Sequence, residues 1–252
     1  MATIVIIHGA FGGGWEWTDV ARRLRLRGHE VFTPTLTGMG ERFHLQSDVG
    51  LTVHINDILA TFEYEDLHDV VLCGASYGGM AVTAAAERAI ERVSRIVYID
   101  ALVPRDGQSG MDLLPETARN LIRQATTMRG DGFVNVLDGV LPPEGLISKH
   151  ERNRFIKRLR PQPVRTFTEP VHLSGAVERI PRGFVRCTVR SLDVGGDPIE
   201  PMAQRAREEG WTYREMPAPH DPHLFDPVGT AAVLDELAGI LHATTPTGDG
   251  CS

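Results

Sequence analysis

The chain has 252 residues, 42% of them hydrophobic, and a formal net charge of -7, which provides for one sizeable core and argues against splitting into several domains. Its arginines are scattered among carboxylates without a basic block or aromatic-interleaved stripe, so nucleic acid is not an expected partner. No stretch approaches the roughly eighteen apolar residues of a membrane span, and three cysteines, Cys73, Cys187 and Cys251, are too few and too far apart for a disulfide framework or a CxxC metal site.

From Met1 the chain runs into the strand-like "TIVIIHGA" with no basic leader or cleavage site, so a soluble, cytoplasmic protein is expected. Among its 26 basic residues only Lys149 and Lys157 are lysines, an arginine bias that points to GC-rich coding and a bacterial source. The β-branched run at residues 3–7 reads as a strand buried on both faces of a parallel sheet. A glycine-rich loop, "HGAFGGG", follows. Trp17, Val20, Ala21 and Leu24 then share one helix face, and Gly28 is placed to end that helix before the strand "HEVFTP". Thr52 is a candidate cap for a second helix with Ile55, Ile58, Leu59 and Phe62 inward. After it come "DVVLC" as a strand, residues 78–90 as a helix and "SRIVYID" as a further strand. This alternation predicts a mostly parallel sheet with helices on both faces.

Between about 104 and 183 the alternation stops, and helical-looking pieces are interrupted by Pro115, Pro142, Pro143, Pro161, Pro163 and Pro170. This segment is expected to be an inserted, mainly helical cap, leaving a single domain whose core spans about 1–103 and 184–241. The sheet rhythm returns with "FVRCTVRSLD", a helix near 202–209, the strand "WTYREM" and a last helix over 228–241 burying Val233, Leu237, Ile240 and Leu241. The tail from 242 to 252 reads as disordered.

Residues 74–78, "GASYG", fit G-x-S-x-G, a strained strand-to-helix turn that exposes a serine hydroxyl at the edge of a sheet. Ser76 would stand at a helix N-terminus, at the sheet edge where α/β proteins bind ligands. The structural alternative is a turn that merely packs a helix on a sheet. A serine nucleophile needs a base from late in the chain. His220 comes soonest after "WTYREM" and is preferred, while His223 reads as a surface-loop residue. The imidazole in turn needs a carboxylate, for which the order of preference is Asp197, Asp193, then Asp100 at the end of "RIVYID". Amide donors for an oxyanion are expected from Tyr77, after the nucleophile, and Ala10, in the glycine-rich loop. That loop lacks both the P-loop lysine and the GxGxxG spacing, which argues against a phosphate cradle. No metal-ligand cluster is present in the sequence, and the chemistry calls for no cofactor.

Together "HGAFGGGWEW", "GASYGG", "GGDPIEP" and "HDPHLFDP" resemble the α/β-hydrolase fold superfamily, and within it the branch of plant methylesterases, hydroxynitrile lyases and bacterial pyrethroid-hydrolase-like carboxylesterases. The resemblance covers nearly the whole chain and implies Ser76 as nucleophile, His220 as base, Asp197 as acid, and Ala10 and Tyr77 as oxyanion donors. The chain departs from many members at Ala75 and Gly12, where they carry histidines, which predicts a wider or less polar pocket there. The lyases carry a lysine after the catalytic histidine, where this chain has Asp221.

A serine carboxylesterase acting on a small, mainly apolar or aromatic ester is therefore expected. The alternatives are a cyanohydrin lyase, against which Asp221 argues, and a non-catalytic small-molecule-binding protein on the same fold. Phe11, beside the oxyanion loop, is the expected substrate contact. Met111, Leu113, Leu114, Phe133, Phe155 and Phe167 are left to the cap's own packing, and a homodimer through the cap is left open.

Overall fold

A computed structural model describes residues 1–45, 48–192 and 194–239. In chain order the elements are β1 (Thr3–Ile7), α1 (Thr18–Leu26), β2 (Glu30–Phe32), α2 (Leu51–Tyr64), β3 (Val70–Ala75), α3 (Gly78–Arg88) and β4 (Val93–Ile99). Next come α4 (Gly110–Leu113), α5 (Glu116–Arg129), β5 (Phe133–Val134), α6 (Lys149–Ile156), β6 (Gln162–Pro163) and α7 (Arg165–Thr168). The chain closes with β7 (Arg182–Cys187), α8 (Glu200–Glu208), β8 (Thr212–Met216), α9 (Pro222–Phe225) and α10 (Pro227–Gly239).

Six strands form one sheet in the order β2-β1-β3-β4-β7-β8, and every neighbouring pair is parallel. The apolar runs of β1, β3 and β4 are buried because helices cover both faces. On one face α2, α3 and α8 pack over Val5, Ile7, Leu72, Ile96 and Phe184. On the other, α1 and α10 cover Ile4, Ile6, Val71, Val97 and Val185, and Trp17, Val20, Ala21 and Leu24 supply the inward stripe of α1 and the turn before it.

Several boundaries differ from the sequence expectation. Helix α2 is capped at Gly50, not Thr52, whose amide donates to Glu169 Oε2 at 3.0 Å. Strand β7 stops at Cys187, level with Met216 at the end of β8, and the Thr188 and Val189 amides beyond it donate to the carbonyls of Met216 and Ala218. Ile240, Leu241 and the 242–252 tail lie outside the described residues, as does Asp193.

Between β4 and β7 the chain leaves the sheet for helices α4 to α7 and the antiparallel pair β5–β6, joined at Phe133↔Pro163 and Val134↔Gln162. Its prolines stand at element ends or in loops, with Pro115 at the N-cap of α5, Pro163 closing β6 and Pro142 and Pro143 in the loop before α6, positions that need no helical N–H. This segment is stitched to the glycine-rich loop: Phe11 N–H donates to Gln162 Oε1 at 2.8 Å, and Phe11 O accepts from Arg160 N at 2.8 Å.

Candidate active site

Strand β3 delivers Ser76 into a sharp turn before α3. Its φ of +50° lies in the left-handed region, a strained conformation for a residue with a side chain. The turn is held by Ser76 N donating to Ile99 O at 3.2 Å, and by Gly79 and Leu102 amides donating to Ser76 O at 3.1 and 3.0 Å. Gly78 is required by close approach, since a Cβ there would fall 2.7 Å from the carbonyl oxygens of both Ile7 and His8. The glycine thus lets α3 start hard against β1, and the serine hydroxyl is aimed away from the packed backbone.

His220 follows β8, and its loop is pinned where His220 N–H donates to Ser191 Oγ at 2.8 Å. The imidazole Nε2 lies 2.8 Å from Ser76 Oγ, and Nδ1 lies 2.7 Å from Asp100 Oδ2. An ionised carboxylate can only accept, so Nδ1 carries the proton and Nε2 is free to accept from the serine.

The carboxylate at the imidazole is Asp100, not Asp197. Ala75 and Ile99 are register partners in neighbouring strands, so the residue after β4 stands beside the residue after β3. Asp100 also takes a positive φ, +44°. Its Oδ1 accepts from Arg186 Nη1 at 2.8 Å and from Cys187 N at 3.0 Å. Asp197 lies on the far side of Arg186: its Oδ2 pairs with Arg186 Nη2, while its Oδ1 accepts from the amides of Ile199 and Glu200 at 3.0 and 3.2 Å, at the start of α8. It is spent on a guanidinium and a helix end, and no bond joins it to His220.

Burial works against charge on both members of the pair. For His220 it acts to lower the pKa, but the hydrogen bond and charge of Asp100, with Asp221 adding to them, hold it above its ordinary value. For Asp100 burial acts upward, and His220 and Arg186 together hold the carboxyl below its ordinary value.

Ala10 and Tyr77 both border the cavity in front of Ser76, and neither backbone N–H has a protein acceptor among the described residues. Polar residues that sequence reasoning passed over fix this loop and turn. Buried His8 donates from Nδ1 to Gly9 O at 2.8 Å and accepts at Nε2 from Leu36 N at 3.1 Å. His54 donates to Thr37 O at 2.9 Å and accepts from the Tyr77 hydroxyl at 2.8 Å. Burial drives both imidazoles down, to about 4 and about 3, so they are neutral struts. The adjacent G-x-S-x-G motif marks their neighbourhood, but a histidine code alone does not separate a strut from a base. His223 corrects another expectation: it is buried, stacked on Trp17 with ring centroids 4.4 Å apart, and its pKa is lowered by burial to about 4.

The cavity encloses about 900 Å³ including its open mouth. Phe11 is in its wall, as expected, and so are Leu114, Phe155 and Phe167, whereas Met111, Leu113 and Phe133 are not. The lining is mainly apolar, with Ser76, His220, Glu16 and Asp221 as polar exceptions. The space opened by Gly12 is not left less polar, because the Glu16 carboxyl fills it.

Residues 4–233 match the model of the alpha/beta hydrolase family. The chain belongs to this family. It is 35% identical over 247 residues to a carbendazim hydrolyzing esterase of Nocardioides sp. (strain SG-4G), spanning 94% of this chain and all of that protein. Methylesterase 18 of Arabidopsis thaliana is 29% identical over 206 residues, covering 72% of this chain and 77% of its own length. Among solved structures, an extracellular alpha/beta-hydrolase from a Paenibacillus species superposes with a TM-score of 0.82 at 23% identity, over 94% of this chain and 99% of that one. With the family and these relatives, the chain is an ester-hydrolysing enzyme of the methylesterase and carboxylesterase branch.

Proposed function

We propose that this α/β-hydrolase is a serine carboxylesterase in which Ser76, His220 and Asp100 form the catalytic triad. The observation that carries this reading is the continuous hydrogen-bonded chain from Ser76 Oγ through the imidazole to Asp100, with steps of 2.8 and 2.7 Å.

In this reaction Ser76 Oγ attacks the ester carbonyl carbon while His220 Nε2 takes the hydroxyl proton, and Asp100 stabilises the imidazolium. The free amides of Ala10 and Tyr77 receive the oxyanion, helped by the N-terminal end of α3. His220 returns the proton to the departing alcohol oxygen. Water, deprotonated by the same nitrogen, then attacks the acyl-enzyme and restores the serine. The segment between β4 and β7 acts as a cap. Phe11, Phe155 and Phe167 in the cavity wall favour a small, mainly apolar or aromatic ester. No metal or organic cofactor enters any step.

Treating the protein with a fluorophosphonate and mapping the adduct by peptide mass spectrometry tests the assignment. Labelling is expected at Ser76, and Ser76→Ala is expected to lower hydrolysis of an aryl ester by ~10,000-fold with an unchanged melting temperature. Carbendazim and simple methyl esters are the first substrates to assay. Retention of most activity in the folded Ser76→Ala protein would falsify the mechanism.

A further inference from the structure

Glu16 sits on the turn of 3-10 helix Gly14–Trp17, directly after the glycine-rich loop. Its side chain folds back over that loop: a Cβ on Gly12 would fall 2.1 Å from Glu16 Oε1 and 2.3 Å from Oε2. The carboxyl therefore occupies the place of a residue-12 side chain and faces the cavity that holds Ser76 and His220. Asp221, which follows His220, lines the same cavity, and its side chain has no hydrogen-bond partner among the described residues. Glu16 has no ion pair among them either, and the nearby Gly13 amide is the one group that favours its charged form. Burial, and then the Asp221 charge, hold the Glu16 carboxyl well above the usual carboxylate range.

Two carboxyl groups facing an otherwise apolar cavity are costly unless something in the cavity completes their hydrogen bonding. The catalytic chain does not need them, since Nε2 and Nδ1 of His220 are already engaged by Ser76 and Asp100. No cation among the described residues is paired with Glu16, which leaves its carboxyl open to a complement carried by an occupant of the cavity. A carboxylate group offers two oxygens in one plane, which match two parallel N–H groups, as in an amidinium or an amino group beside a ring N–H. The aromatic wall of Phe11, Phe155 and Phe167 suits a flat ring carrying such a group.

We propose that Glu16 is a specificity-determining residue whose carboxyl, with Asp221 beside it, receives the paired N–H groups of a planar, amidine-like nitrogen moiety in the substrate. The inference rests on the reading of this cavity as the ester site and deepens it: the preferred esters carry a flat ring bearing an amidine-like group.

The test uses benzamidine and its neutral isostere benzamide, titrated calorimetrically into the wild-type protein, Glu16→Leu and Glu16→Gln. Wild type is expected to bind benzamidine about tenfold or more tightly than benzamide, and Glu16→Leu to lose most of that preference. Glu16→Gln, which keeps one carbonyl acceptor, should fall between them and serves if the leucine variant does not fold. Benzamidine, but not benzamide at the same concentration, should protect Ser76 from the fluorophosphonate. Equal binding of the two probes, or a preference that survives in both variants, overturns the role of Glu16. Failure of the esterase reading is seen separately, as absence of labelling in the probe-free wild type, and leaves the calorimetric preference to decide on Glu16.

Discussion

The loops leaving β4 and β7 make an instructive pair. Each delivers an aspartate to Arg186, Asp100 from one side and Asp197 from the other. Asp100 is 3% exposed at its side chain and bonded to the imidazole, whereas Asp197 is 23% exposed and bonded to the start of α8. The difference comes from sheet order. Strand β4 adjoins β3, so its end lies beside the serine turn, while β7 is one strand further out and its loop runs on to a helix. Two carboxylates joined by one guanidinium therefore have separate contacts: one bonds the His220 imidazole, and the other anchors the arginine.

Replacing each carboxylate in turn tests that division. Asp100→Asn should leave the fold in place but remove the acceptor that fixes the Nδ1–H tautomer, lowering kcat by roughly 1,000- to 10,000-fold. Steady-state kinetics on an aryl ester check this; a loss under tenfold would return the role to the β7 loop. Asp197→Asn removes only a part-exposed ion pair and keeps a carbonyl oxygen for the amides at the start of α8, and kcat/KM is expected to drop by less than about tenfold. A collapse as deep as that of Asp100→Asn would erase the contrast.

The smallest effect concerns pH. The proposed mechanism needs a neutral imidazole, so activity is expected to fall as pH drops through the His220 pKa, which is held above its ordinary value. Asp221 contributes to that elevation. Asp221→Asn should move the acidic limb of the kcat/KM profile to lower pH, and a limb that stays in place or moves upward contradicts the assigned charge coupling. For stability the sign is opposite to that of a depressed carboxylate: the elevated His220 pKa stabilises the fold at pH below the unfolded-state pKa, and that contribution is lost as pH rises through the folded-state value.

The division between the two carboxylates also marks the limit of reading along a chain. The β-branched runs and the α1 stripe determined strands, one helix and the parallel alternation, because side-chain period and burial are local properties that the sequence carries directly. Ser76 was legible for the same reason, since a tight strand-turn-helix needs its small residues at fixed offsets. His220 was legible from its position after the last strand. The choice among Asp197, Asp193 and Asp100 was not, because it depends on which strand end lies next to β3, and strand order is a property of the assembled sheet. Asp100 precedes His220 by 120 residues, and no local pattern records such a pairing.

The pocket followed the same rule. Composition marked Phe11 and the aromatic residues of the inserted segment, but not which of them face the cavity. The family resemblance presented Gly12 as an opening, when the side chain that fills the opening belongs to Glu16, four residues on and folded back across the loop. Glycines and spacing determine where the backbone can turn; only close packing in three dimensions decides which carboxylate meets the imidazole and which one enters the pocket.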